Sequence, residues 1–147
     1  MPFYQKEHPK QILEILGLYA VAILVGGMVF FPSVVAPTVF KSLSPADAGI
    51  FLRKLFPTYY VFIIAASAVG AACLFAQPFV AATLVVIAVS TLAVRQILVP
   101  KINAWRDQEL AGDASAAKHF KTGHSASVFV NLVQLAAAIW VLWRLSI

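Results

Sequence analysis

Charge is what this chain has least of: only 12% of its 147 residues are Asp, Glu, Lys or Arg, against 61% hydrophobic residues. A soluble domain is ordinarily about one quarter charged and about half apolar, and a small one has proportionally more surface to cover. That class is excluded. Acid is scarcer still, with 6 residues against 11 basic ones, and the net charge is +5. Nucleic acid is not the implied partner, because Lys and Arg fall between apolar runs and form no basic stripe interleaved with aromatics. Beside such runs they act as topology signals and as contacts to the headgroups of membrane lipids. A single cysteine, Cys73, lies within an apolar run and excludes an intrachain disulfide. No nucleophile elbow, P-loop, dinucleotide fingerprint or HExxH is present. Asp47, Asp107, Glu109 and Asp113 all lie between the apolar runs, so no carboxylate pair is offered at membrane depth. No catalytic residue is assigned, and a non-enzyme is the better expectation.

What the chain does have is apolar length. A helix rises about 1.5 Å per residue, so a hydrocarbon core of about 30 Å takes about 20 residues. Four segments reach that: 12–39, 58–76, 79–98 and 126–145. The expected fold is all-α, a four-helix integral membrane bundle forming one transmembrane domain over residues 1–147. The first run is too long for a signal h-region of about 7–15 residues and is expected to tilt, or to kink near Pro32. Gln77-Pro78 makes spans two and three a tight antiparallel hairpin, Pro100 is expected to stop span three, and Trp140 and Trp143 anchor the end of span four. Span two carries Ala66 with Gly70, Ser67 with Ala71 and Ala68 with Ala72. Small residues at that spacing suit close packing inside the bundle or a homodimer seam.

The longer connections also read as helical. Ser44-Pro45-Ala46-Asp47 combines an N-cap, a proline at the first position and an acid at the third, opening a short amphipathic helix through Phe56. Gly112-Asp113 marks a turn and N-cap before a second short piece, Ala114 to Lys121. Eight basic residues lie on the side of these two connections, counting Arg95 near the end of span three, and three on the other side. The positive-inside rule therefore places loops 40–57 and 99–125 in the cytoplasm and both termini outside.

Candidate chemistry gathers where the last span begins. His124, Ser127, Asn131 and Gln134 follow at steps of three, four and three, which aligns them along one helix stripe. Arg95 enters from span three on the same side, and Asn103, Asp107 and His119 come from the loop. Two readings stand for the stripe, interhelical hydrogen-bond glue or the lining of a substrate path; Arg95 can snorkel to lipid phosphate or hold an anion within the bundle. His119 and His124 are the only metal or haem ligand candidates apart from His8 in the N-terminal tail. Five residues of continuous helix turn their rings about 140° apart, so a shared ligand needs a break at Gly123. No Cys or Glu completes a zinc set, and no cofactor is expected. Glu14 has Lys10 or Arg144 as a partner.

Two stretches carry a family resemblance. One runs Val39-Phe40-Lys41-Ser42-Leu43-Ser44-Pro45-Ala46-Asp47-Ala48-Gly49 and on through Lys54-Leu55-Phe56-Pro57-Thr58-Tyr59-Tyr60; the other runs from His119-Phe120 through Gly123-His124-Ser125-Ala126-Ser127 to Asn131-Leu132. Both resemble the TMEM205-like family, bacterial members of which are membrane proteins built on a domain of unknown function. The resemblance covers essentially the whole chain and implies that Phe40, Gly49, Phe56, Pro57, Tyr59, Pro100, Phe120, His124, Ser127 and Asn131 are motif positions. It implies a multi-pass protein, expected in the bacterial inner membrane, and no defined reaction. The leading functional expectation is a small transport or permeation component, homo-oligomeric because four spans enclose little volume. The alternatives are a haem- or metal-binding redox protein using His124, and an assembly partner acting through the loops.

Overall fold

The computed structural model describes residues 4–147, with side chains from Pro9 onward; His8, named above, lies outside the described side chains. Four long helices make up the fold. Helix α1 runs Tyr4–Phe30, passes through a π-helical turn at Phe31–Val35 and continues as Ala36–Ser42. Helix α2 is Pro45–Cys73. Helix α3 runs Pro78–Ala93, then a second π-helical turn, Val94–Leu98, then Val99–Leu110. Helix α4 is Ala114–Ser146. Each of the four is long and apolar enough to cross a membrane. Packing follows a ring in which α1 and α3 each touch α2 and α4.

The two π-turns share one cause. Proline has no N–H, and its ring clashes with the carbonyl four residues earlier. In α1 the Ala36 N–H bonds the Phe31 carbonyl, one residue before Pro37. In α3 the Val99 N–H bonds the Val94 carbonyl, one residue before Pro100. The extra residue in each turn lets the helix continue past a proline by widening instead of breaking.

This corrects several expected helix ends. Pro100 does not stop α3. The expected loop helix from Ser44 to Phe56 is one continuous helix with span two, Pro57 lying inside it. The piece at 114–121 runs unbroken through Gly123 into span four. Periodicity and propensity could not separate a proline that ends a helix from one that is bypassed.

The caps match the chemistry read from the sequence. Ser44 Oγ accepts the Asp47 N–H at 3.2 Å and donates to the Asp47 carboxylate at 2.6 Å. Ser44→Ala is expected to destabilise α2 by about 1 kcal/mol, read as a lower midpoint in thermal unfolding; no change would mean that the cap is redundant with Pro45. Gly112 takes a φ of +100°, a left-handed value that glycine reaches without a Cβ penalty. It turns the chain into Asp113, whose carboxylate accepts from Ser115 Oγ at 2.6 Å and Ser115 N–H at 2.8 Å. Those bonds hold the Asp113 carboxyl below its usual range. Since its folded value is lowered, this cap is complete at neutral pH and is lost only as pH falls through that value.

Core and surface have the membrane pattern. Leu24, Met28, Ile63, Leu84, Ala138 and Val141 are fully buried where the helices meet. Phe79, 83% exposed, and Phe129, 67% exposed, stand on the outer surface. Water would not tolerate a continuous belt of such residues; lipid does. In α4 no charge occurs between His124 and Arg144, a stretch of roughly 28 Å that matches a hydrocarbon core of about 30 Å. Small residues of α2 face inward, since a Cβ on Gly70 would meet Leu84 at 3.1 Å and Val21 at 3.5 Å, with Ser67 and Ala71 buried alongside. Ala68 and Ala72 remain on the outside.

Candidate functional site

One layer of the bundle holds polar groups that the fold leaves unsatisfied. From α2, the Tyr59 hydroxyl donates to Asn131 Oδ1 on α4 at 3.4 Å. Phe31, the first residue of the α1 π-turn, stacks on Tyr59 with ring centroids 4.3 Å apart, and Phe56 closes against Phe31 at 5.3 Å. Asn131 Nδ2 is buried and has no hydrogen-bond partner; the same holds for Arg95 Nε in the α3 π-turn. Among the described residues no carboxylate lies within ion-pairing distance of Arg95.

Depth makes the layer costly. Helices α3 and α4 run antiparallel in a register set by Gly123 against Ile102 and by Gln134 bonded to Ser90. That register brings Arg95 level with Asn131, about 10 Å along the helix from His124 toward the membrane centre. A buried donor without an acceptor costs about 1–3 kcal/mol, and an intramembrane ionisable group is retained where something pairs with it. Three features therefore coincide here: two orphaned donors from neighbouring helices, an aromatic wall, and the two widened turns. What the layer can do chemically is accept a group rich in oxygen lone pairs, such as a carboxylate, a phosphoryl or a carbonyl.

A model of a family described as a domain of unknown function, DUF4149, matches residues 19–111. The chain belongs to the DUF4149 family. The DUF4149 match takes in both π-turns, the aromatic wall and Arg95, together with the first of the two motif stretches; the second stretch, with Phe120, His124, Ser127 and Asn131, lies beyond it. Neither curated proteins nor solved structures yield a match to the chain.

The remaining candidates of this DUF4149 chain are placed elsewhere. The stripe on α4 divides. Asn131 faces Tyr59, whereas Gln134 is buried and donates through Nε2 to Ser90 Oγ at 2.8 Å. Ser127 bonds its own helix at the His124 carbonyl, 2.7 Å away. His124 is exposed and stacks on Phe120; His119 stacks on Trp105. The two histidines thus engage different aromatic rings on one unbroken helix and do not converge.

Asn103 joins a separate clamp outside the layer. Its backbone carbonyl accepts from Arg53 Nη2 at 3.4 Å, and Arg53 also pairs with Asp107 at 2.7 Å. Nearby, Arg106 pairs with Glu109 at 2.6 Å and lies 5.2 Å over the Phe120 ring. Arg106, Asp107 and Glu109 thus each have a partner within the chain. Both partners of the Arg53–Asp107 pair are exposed, so Arg53→Ala is expected to cost about 0.2–1 kcal/mol and to lose its effect in high salt. A salt-independent loss above about 2 kcal/mol would mean the pair is shielded. Lys10 and Arg144 were the expected partners of Glu14; neither lies within 4 Å of it among the described residues. Phe40 and Gly49 are exposed, and Pro57 and Pro100 lie within helices.

Three participants carried no usable signal in the sequence. Ser90 is one hydroxyl among several in its span, and Phe31 is one aromatic in an apolar run. The π-turns were marked only by prolines, Pro32 read as a kink and Pro100 as a stop.

Proposed function

We propose that this chain is a small transport or permeation component of the bacterial inner membrane, TMEM205-like in architecture, that binds an anionic or carbonyl-bearing substrate in the Arg95–Asn131–Tyr59 layer. The observation that carries this reading is the pair of buried donors, Arg95 Nε and Asn131 Nδ2, left without acceptors on adjacent helices at membrane depth. A purely structural layer gains nothing from two such groups, and a substrate oxygen would satisfy both. The excess of basic residues around the layer's end of the bundle supports placing that end in the cytoplasm.

Passage through a single resting bundle is opposed by the fully buried residues beyond the layer, Leu24, Ile63 and Leu84 among them. The reading therefore includes a homo-oligomer, with movement at the π-turns opening the layer. Proteoliposomes loaded with a pH-sensitive dye and exposed to acetate, benzoate or inorganic phosphate test it. Wild-type protein is expected to raise the flux of at least one of these above that of empty liposomes, with Asn131→Leu and Arg95→Gln each lowering it about tenfold. Flux equal to empty liposomes for all three, or variants that conduct like wild type, ends this reading. A strictly monomeric species in nanodiscs removes its oligomeric part.

A further inference from the structure

The hairpin end of the bundle carries a second feature. Beside the tight hairpin, a cleft of about 570 Å³ is lined by Gln77, Trp140, Trp143 and Arg144, with Phe79 at its apolar edge. A groove of about 510 Å³ begins at Phe79 and runs between α3 and α4 past Ser90 and Gln134 to Phe129. The two adjoin at Phe79, which lines both.

We propose that these two adjoining clefts form a binding site for an anionic phospholipid, with the headgroup phosphate on Arg144 and one acyl chain lying along α3 and α4. Charge is the first argument. Arg144 has no carboxylate within 4 Å among the described residues, so its guanidinium is available for bidentate contact with phosphate oxygens. The second is the lining, which is polar and aromatic at the interface and almost wholly apolar below. Trp140 and Trp143 sit at the boundary, where an indole is partly wetted and partly in hydrocarbon. Depth is the third. Phe129, at the far end of the groove, lies fifteen residues from Arg144, about 22 Å along the helix, against about 15 Å for half of a hydrocarbon core of about 30 Å. The two clefts together are therefore long enough to take an acyl chain through one leaflet. Within the groove Gln134 Nε2 donates to Ser90 Oγ, and Ser90 Oγ donates to the Val86 carbonyl at 2.6 Å. Those groups are satisfied internally, which leaves the groove floor compatible with a hydrocarbon chain.

Native mass spectrometry of the purified full chain, titrated with dioleoyl phosphatidylglycerol or dioleoyl phosphatidylcholine, tests the site. Retention of the anionic lipid is expected to exceed that of the zwitterionic one about fivefold, the effect of one basic residue at a charged interface. Arg144→Gln should erase the difference. Val133→Trp, at a groove position 53% exposed, should weaken retention of both lipids without touching the core. Equal retention of the two lipids by wild type, or an unchanged preference in Arg144→Gln, overturns the proposal. So does displacement of the lipid by free glycerol phosphate with Val133→Trp behaving as wild type, since that describes a phosphate site without an acyl groove. Loss of self-association in Val133→Trp at unchanged lipid retention would assign the groove to a second copy of the chain instead.

Discussion

Replacing Gly123 by leucine is expected to lower the thermal midpoint by about 6 °C or more, although helix propensity alone predicts the opposite sign. Any residue other than glycine or proline stabilises a helix interior by up to about 1 kcal/mol relative to glycine. Gly123 lies inside α4, as its tenth residue. A Cβ built there would stand 2.7 Å from Trp105 Cζ3 and 3.0 Å from Ile102 Cγ1. The first distance requires movement, and the atom that must move belongs to a rigid indole already stacked on His119. Overpacking of this kind costs about 1–3 kcal/mol for modest insertions, and a leucine is at the upper end. At about 2–4 °C per kcal/mol for a chain of this size, the shift follows. Gly26 is the internal control: it too lies in a helix interior, and nothing would meet its Cβ within 4 Å. Gly26→Ala should therefore be neutral or slightly stabilising. Tryptophan fluorescence during thermal unfolding in detergent reads both, with Trp105 reporting on the Gly123 contact. If Gly123→Leu unfolds at the wild-type temperature, α3 and α4 do not touch at this point and the register argued above is wrong.

The same residue shows where sequence reasoning reached and where it stopped. Apolar length was enough for the four helices, because hydrocarbon thickness is a one-dimensional ruler and composition reads directly on it. Caps were legible for a similar reason. Ser44 and Asp113 act on N–H groups two or three residues away, so all the relevant chemistry lies in a short stretch of chain. Gly123, by contrast, read as a candidate break between His119 and His124, and it is instead the close-approach point for Trp105, eighteen positions back. Nothing local distinguishes those two uses of a missing Cβ. Pro100 misled in the same way. Its clash with the preceding turn is local, but whether a helix stops or widens depends on what packs against the far side, and α4 holds the Val99–Leu110 segment in line. The α4 stripe was legible as a spacing and not as a function, since helical steps of three and four align residues without saying what each one meets. Asn131 found Tyr59, Gln134 found Ser90, and His124 stayed at the surface.

Asn131 is the position at which stability and function are expected to part most widely. If it serves as glue, its value lies in the Tyr59 bond, and an intramembrane side-chain bond of this kind is worth about 0.6 kcal/mol on average. Changing both partners, Tyr59→Phe with Asn131→Leu, should then leave flux alone. If it lines a substrate site, the same double variant is expected to lose about tenfold or more in flux. Under both readings the change removes the orphaned Nδ2, whose burial costs about 1–3 kcal/mol, along with a long 3.4 Å bond, so the double variant is expected to be at least as stable as wild type. Its flux thus separates the two readings. Arg95 extends the test. Arg95 and Asn131 exchange no hydrogen bond, so their effects on stability should add. If both hold one substrate, their effects on flux should not add, because the first substitution already removes the pose that the second group serves. Additive losses in flux would place the two donors in separate sites and dissolve the layer as a functional unit.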